Sequence, residues 1–153
     1  MKSVKKELFE KVLESLKKEI EERKKHIESL EEAIRKAPSR NESRYDSMRE
    51  EYEYEKLAYE RKVSELESIY SYLKEMEKKI VEEKKEIDNF SFVKLRSKKD
   101  EKKLFILPNL GGKKIEDILI MSPSAPLFKA IRGKTEGDKI EMLGKKYLIV
   151  EVR

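Results

Sequence analysis

Hydrophobic residues in the first part of the chain recur at alternating steps of three and four, apart from an interruption at Arg23. The segment from Ser3 to Lys36 contains no proline or glycine. Its repeated apolar positions are Phe9, Leu13, Leu16, Ile20, Ile27, Leu30 and Ile34. This heptad spacing places one apolar stripe along a helix, as in a coiled coil. The pattern therefore predicts a single long helix over residues 3–36.

A second heptad series begins after a break at Pro38. Proline lacks a backbone donor and biases the preceding residue away from helical geometry, whereas Ser39-Arg40-Asn41-Glu42 has the form of a capping box. Every seventh residue then carries a large apolar or aromatic side chain: Tyr45, Tyr52, Tyr59, Leu66, Leu73, Ile80 and Ile87. The series predicts a second helix over about 40–87, antiparallel to the first. It also predicts that the tyrosines pack between the helices rather than stack on nucleic acid.

The pattern changes to short apolar runs after Ile87. These runs predict strands at 102–107, 115–121, 139–142 and 147–152, a short strand or linker from 89–93, and a helical turn or two at 127–131. The fold class is therefore α+β. We expect an antiparallel coiled-coil arm at 1–87, with its tip near 37–42, and a small β-rich C-terminal domain at 88–153.

Composition narrows the classes of function. Charged residues make up 45% of the 153 residues, against about 25% in a typical globular domain, and long helices paired along a narrow core suit such a chain. There is no cysteine and one histidine, His26, so thiolate and histidine-based metal sites are not expected. No apolar run reaches the roughly 18 residues of a membrane span, and the charged N-terminus does not resemble a signal peptide. We expect a cytoplasmic protein that does not contact membranes.

The net charge of +5 is concentrated in the C-terminal part of the chain. A basic excess there suits contact with nucleic acid or with an acidic protein surface. Solubility alone would also explain it. Charge by itself therefore does not select a partner.

An ordered set of residues near the end of the chain carries a more specific signal. The set is Ser122-Pro123-Ser124, Pro126-Leu127, Ala130, Gly133-Lys134 and Gly137-Asp138. In this order it resembles the C-terminal signature of the Gre transcript-cleavage factors, over roughly residues 103–152. The resemblance implies an FKBP-like C-terminal domain that docks through these residues near the rim of the secondary channel of RNA polymerase. The prolines and glycines also have local backbone roles, so we interpret Ser124 and Asp138 as structural rather than catalytic.

The resemblance also implies what the arm does. In the Gre family the coiled coil enters the secondary channel, and two acidic tip residues help to hold a second magnesium ion at the active site of the polymerase. Any magnesium would therefore be shared with RNA polymerase. This protein would have no stable metal site, no cofactor and no enzymatic activity of its own.

The tip departs from the family pattern, because the acidic positions fall on Pro38 and Asn41. The nearest carboxylates are Glu42 and Asp46, which are four residues apart and share one helical face. They either replace the usual acidic pair or stabilise the helix start, through the capping box and the helix dipole. Arg40 and Arg44 favour the second interpretation, because they partly neutralise the site. The candidate tip residues are Pro38, Ser39, Arg40, Asn41, Glu42, Arg44 and Asp46.

Together these patterns indicate a monomeric transcription elongation factor or regulator that binds RNA polymerase, with indirect contact to nascent RNA or DNA. Stimulation of transcript cleavage stays open, and occupation of the channel without cleavage is slightly favoured. The main alternative is a coiled-coil adaptor that binds other proteins and is unrelated to transcription. A prolyl isomerase is a further alternative, although the domain offers few aromatic residues for its pocket: Phe90, Phe92, Phe105, Phe128 and Tyr147.

Overall fold

Two long helices form the first part of the chain. The structure, a computed structural model, describes residues 3–37 and 43–153, with the side chains of 43–46 outside that description. Helix α1 covers Val4–Lys36 and α2 covers Ser43–Glu75. The predicted first helix is confirmed to within a residue at its start. Ser3 caps it, because the Ser3 hydroxyl accepts a hydrogen bond from the Lys6 amide at 3.1 Å.

The two helices pair antiparallel within the unit Leu13–Lys74. Lys24 contacts Glu67 at 3.7 Å, whereas Glu31, further along α1, contacts Lys56 at 3.5 Å. Partner positions on α2 thus fall as those on α1 rise, which confirms the predicted antiparallel hairpin. The buried residues of this unit are Leu13, Leu16, Ile20, Leu30, Val63, Leu66, Ile69 and Leu73.

The prediction that the second helix continues to Ile87 is wrong. Helix α2 ends at Glu75, and a single turn, α3 (Glu77–Ile80), follows it. The Ile87 amide donates to the Lys134 carbonyl, and the Gly133 amide donates to the Ile87 carbonyl, both at 2.8 Å. The five residues before Ile87 are all charged, so they offer no apolar face to a partner helix. Hydrogen bonds and burial in the C-terminal domain therefore decide the conformation of this segment.

A six-stranded mixed sheet forms the C-terminal domain. Its strands run in the order β3-β4-β2-β1-β6-β5, and only the β2–β4 pair is parallel among the described strands. Helix α4 covers Pro126–Ile131. The strands are β1 (Phe92–Arg96), β2 (Glu101–Ile106), β3 (Lys114–Ile115), β4 (Ile118–Met121), β5 (Lys139–Met142) and β6 (Lys145–Val152). The α+β class is confirmed, while an FKBP-like description of the sheet stays a prediction.

One predicted strand, 115–121, is in fact a tight hairpin. Ile115 pairs with Ile118 across the turn, and Glu116 has a positive φ of 56°. Apolar residues on both sides of Glu116-Asp117 imitate one continuous strand in the sequence. The reversal lets Ile115 and Ile118 both be buried.

A compact apolar core joins the sheet to α4 and to the segment before β1. The second unit of the chain consists of Glu75–Arg153 together with the start of the chain through Val12. Within it, Phe128 and Ile131 of α4 are buried against the sheet. The core residues are Ile87, Val93, Leu95, Leu104, Ile106, Met121, Phe128, Ile131, Ile140, Tyr147, Ile149 and Val152.

The turn between β5 and β6 contains a strained leucine. Leu143 has a φ of 51° and is followed by Gly144 at 77°, so both turn residues adopt the left-handed geometry that favours Asn-Gly. Leu143 is 95% exposed and gains almost nothing from burial. We expect Leu143→Asn to raise the free energy of unfolding by about 1 kcal/mol, because asparagine tolerates a positive φ. Urea unfolding measures this gain. Leu143→Ala, which keeps the strain, is the control, and an equal effect of both substitutions would contradict the prediction.

A lysine is buried near the start of α1. The Lys5 side chain is fully buried, and its Nζ donates to the Glu82 carbonyl at 2.5 Å. Burial, assisted by the nearby positive charge of Lys84, lowers the pKa of Lys5 from 10.5 to about 8, although Glu83 and Glu82 oppose the shift. The folded protein thus releases this proton at a lower pH than the unfolded chain does.

This lowered pKa predicts a stability that depends on pH. Between pH 8 and 10.5 the unfolded chain keeps the Lys5 proton and the folded chain loses it, so the free energy of unfolding rises with pH. From about pH 7 to 9.5 the contribution of Lys5 should rise by about 2 kcal/mol. The measurement is urea unfolding of the wild type and Lys5→Met at both pH values. Their difference isolates Lys5 from the other titrating groups, and a difference independent of pH would contradict the assignment.

Candidate functional site

The sequence-predicted docking residues all lie in one continuous stretch, 122–138, here called the motif segment. It begins with a compact turn after β4. The Ser122 and Ser124 hydroxyls are 2.8 Å apart, and the Ser124 amide donates to the Ser122 hydroxyl at 3.2 Å. The Ala125 amide donates to the Ser122 carbonyl at 3.0 Å. This turn leaves Ser124 exposed while Pro123 is half-buried.

Helix α4 follows directly and has a buried and an open face. Pro126 occupies its first turn, where the missing amide proton costs nothing. Leu127 is half-buried and packs against the core, so it supports the domain as well as its surface. Lys129 and Ala130 are exposed. The open face of α4 is therefore small, with one positive charge at Lys129.

Gly133 and Lys134 anchor the motif segment to the strand-like stretch before β1. Both backbones bond to Ile87, as described above, and the Thr135 hydroxyl donates to the Lys85 carbonyl at 2.8 Å. Gly133 has a φ of 84°, which a residue with a side chain rarely adopts. The glycine of this pair is thus needed for the fold, and only the Lys134 side chain is available for a partner.

Gly137 and Asp138 form a turn whose carboxylate is already engaged. Asp138 Oδ2 accepts a hydrogen bond from the Thr135 amide at 2.9 Å. The Gly137 amide donates to the Ile149 carbonyl at 2.8 Å, and the Ile149 amide donates to the Asp138 carbonyl at 2.9 Å. This geometry supports a structural role for Asp138, since its carboxylate closes the turn on Thr135 while the backbone of the turn is held against β6.

Arg132 was not among the residues selected from the sequence, yet it is an exposed residue of the motif segment, directly after α4. Its guanidinium forms an ion pair with Asp88 at 3.2 Å and lies 5.9 Å from the centre of the Phe128 ring. Lys84, Lys85 and Gly133 line the same shallow hollow. The only sequence signal was the position of Arg132 at the end of the short helix, beside the glycine.

The tip residues predicted from the sequence have no described side-chain geometry. Pro38, Ser39, Arg40, Asn41 and Glu42 lie outside the described residues. Arg44 and Asp46 belong to α2, but their side chains also lie outside the description. Magnesium binding by Glu42 and Asp46 therefore stays a prediction. In the described part of the chain, no group of three or more acidic, histidine or cysteine residues is placed to hold a metal ion.

The middle of the hairpin holds the single histidine. His26 Nε2 lies 3.2 Å from Glu55 Oε1, and the His26 ring lies 4.3 Å from the Tyr59 ring. The Arg23 guanidinium approaches the same tyrosine ring at 5.7 Å. Tyr52 and Tyr59 are half-buried, in agreement with the predicted packing between helices. The Tyr45 side chain lies outside the description.

Four of the five aromatic residues considered for an isomerase pocket are in the core. Phe92, Phe105, Phe128 and Tyr147 are each at most 3% exposed. Phe128 and Tyr147 belong to the core between the sheet and α4, whereas Phe92 and Phe105 contact each other edge to face, so these four rings do not line an open aromatic pocket. Among residues 3–37 and 43–153, no helix is long and apolar enough to cross a membrane.

Comparisons with known proteins give similarities of fold at low sequence identity. No protein-family model matches the chain, and no curated protein matches its sequence. The solved GreA factor homolog 1 (Gfh1) of Thermus thermophilus is 18% identical, covers 92% of this chain and 94% of its own, and has a TM-score of 0.38. Gfh1 of Thermus aquaticus is 17% identical, with coverages of 91% and 92% and a TM-score of 0.38. A prokaryotic transcription elongation factor GreA/GreB from Nitrosomonas europaea is 25% identical over 44% of this chain, with a TM-score of 0.36, and the match spans only 60% of that protein.

Proposed function

We propose that this protein is a non-enzymatic factor that binds RNA polymerase through the motif segment and inserts its helical hairpin into the secondary channel. The ordered Ser-Pro, Pro-Leu, Gly-Lys and Gly-Asp pairs within 122–138 carry the proposal. Backbone hydrogen bonds at Ser122, Gly133 and Gly137 fix the conformation of the segment that contains these pairs. Their engaged backbones favour a rigid docking surface over a catalytic site.

The open side chains of this segment set the character of the contact. Ser124, Pro126 and Lys129 are exposed, and Arg132 is exposed although paired with Asp88. Small and cationic groups on a short, rigid helix suit an acidic surface of a protein partner. Since the turns are already fixed by hydrogen bonds, little conformational entropy is lost on docking.

The dimensions of the hairpin suit a narrow channel. Each long helix has 33 residues, which corresponds to about 50 Å. Two paired helices present a thin cross-section, and ion pairs such as Lys24–Glu67 and Lys56–Glu31 keep their flanks polar. A hairpin of this kind can enter a pore that excludes a globular domain.

The residues at the tip favour occupation of the channel over strong stimulation of cleavage. The family's acidic positions correspond to Pro38 and Asn41, and Arg40 lies between them. Magnesium prefers carboxylate and water ligands, so this tip is poorly equipped to hold a second ion. The factor would then limit access to the polymerase active site or compete with a true cleavage factor.

Binding to purified core RNA polymerase from the source cell tests the proposal. We expect the wild type to form a stable complex on gel filtration. Lys129→Glu should weaken the complex by about 10-fold or more, because it reverses the charge of the open face of α4 toward an acidic partner surface. Lys114→Glu, an equal charge reversal at an exposed position of β3 outside the motif segment and the hairpin, is the matched control and should bind normally. Absence of a complex with the wild type would favour the coiled-coil adaptor.

A further inference from the structure

Four lysines converge at one corner of the sheet, outside the motif segment. They belong to the β1–β2 loop (Lys98 and Lys99) and to the start of β6 (Lys145 and Lys146). Together with Ser97 they line a single surface depression. The sheet register brings them together, because Arg96 at the end of β1 pairs with Leu148 of β6. We call these four residues the lysine corner.

The lysine corner has more positive than negative charge around it. All four side chains are exposed, and among the described residues none of them forms an ion pair. Two other lysines of the sheet are paired, in Lys103–Asp117 at 2.8 Å and Lys94–Glu151 at 3.7 Å. Asp100, in the same loop, keeps its negative charge while it accepts a hydrogen bond from the Ser97 hydroxyl. Glu141, which faces Lys146 across the β5–β6 ladder, does not form an ion pair with it. The four lysines outnumber these two carboxylates, so the corner keeps a net positive charge that attracts a polyanion.

The chemistry of the corner favours phosphate groups of a duplex over unpaired bases. Lysine binds phosphate as a point charge without demanding a fixed geometry. Single-stranded nucleic acid is usually held by exposed aromatic rings on which bases stack. The aromatic residue at this corner, Tyr147, is buried, and Lys102 lies 5.6 Å from the centre of its ring. Duplex DNA also has a higher density of phosphate charge along its axis than a single strand has.

We propose that the lysine corner binds the phosphate backbone of duplex DNA without reading its sequence. The corner shares no residue with the motif segment, so the proposal stands independently of polymerase binding. On a transcribing complex, such a contact would hold the C-terminal domain against nearby DNA. Docking of the motif segment on the polymerase does not require the lysine corner to bind DNA.

The test is the salt dependence of binding between the purified full chain and a fluorescein-labelled 20-base-pair duplex of random sequence. If all four lysines contact phosphates, the slope of log K against log salt should be about −3.6. In Lys145→Gln/Lys146→Gln the slope should fall to about −1.8, with affinity reduced about 10-fold or more at 0.1 M salt. The matched control is Lys18→Gln/Lys25→Gln, which removes two exposed lysines of α1 and changes the net charge equally.

Each outcome of this test has a definite meaning. Loss of affinity and slope in the corner variant, with the control within about twofold of wild type, supports the proposal. Equal losses in both variants would overturn it, because net charge alone would then explain binding. Tighter binding to the single strand, or equal competition by polyglutamate, would also overturn the duplex assignment. Far-UV circular dichroism confirms that both variants are folded before binding is compared.

Discussion

Replacing Ile87 with alanine is expected to lower the free energy of unfolding by about 3 kcal/mol. The Ile87 side chain is fully buried in the core of the C-terminal domain, in the same cluster as Val93 and Ile140. Alanine keeps the backbone hydrogen bonds to Gly133 and Lys134 and removes only the packed side chain. The loss is therefore the transfer energy of the deleted groups plus the cost of the cavity. Urea denaturation measures it directly.

The location of the loss matters as much as its size. Hydrogen exchange should accelerate for sheet amides such as those of Ile106 and Ile149, whereas amides in the hairpin unit should change little. Leu119→Ala is the control, because Leu119 is 40% exposed on β4 and should cost less than about 1 kcal/mol. Loss of protection in α1 and α2 instead would mean that Ile87 belongs to the helical pair, as its heptad position suggested.

Restoring acidic residues at the tip is expected to create or strengthen transcript cleavage. We expect Pro38→Asp/Asn41→Glu to raise magnesium-dependent cleavage in a backtracked polymerase complex by about 10-fold or more over the wild type. The physical reason is that two carboxylates would supply oxygen ligands for a second magnesium ion at the polymerase active site. This expectation depends on the proposed polymerase binding and on the family alignment of the tip.

A matched variant separates charge from shape at the tip. Pro38→Asn/Asn41→Gln changes the same positions without adding negative charge, so it should not raise cleavage. If the acidic variant binds polymerase normally and also leaves cleavage unchanged, the proposed alignment of the tip is wrong. If the wild type stimulates cleavage and the single variants Glu42→Gln or Asp46→Asn lose that stimulation, the metal would instead be assigned to those carboxylates.

The hairpin was the most predictable part of the fold. A long heptad pattern without proline or glycine has few competing structures, so the ends of α1 follow from the sequence almost to the residue. The seven-residue spacing placed Ile87 on the second helix. In the structure its backbone is hydrogen-bonded to Gly133 and Lys134, more than 45 residues later in the chain. The 115–121 hairpin was hidden because its two-residue turn leaves the apolar character of both flanks intact. The first error thus arose where tertiary contacts overrode a local pattern, and the second where a local turn left no mark in that pattern.

The candidate sites show the same division between local and tertiary information. The motif segment was visible from the sequence, because its prolines and glycines lie close together in the chain. The engagement of Asp138 with Thr135 is also local, and the sequence suggested a structural role for it. The lysine corner was not predictable, since it depends on the register that places Arg96 opposite Leu148. No periodic pattern links positions so far apart.

The most direct test of the central proposal is the binding of wild-type protein to purified core RNA polymerase, measured by sedimentation with and without an acidic-tip Gre cleavage factor. The account predicts a one-to-one complex that the cleavage factor displaces, because both would occupy the same channel. A complex that the cleavage factor leaves intact would contradict insertion of the hairpin. Failure to form any complex at micromolar concentration would contradict the proposed function as a whole.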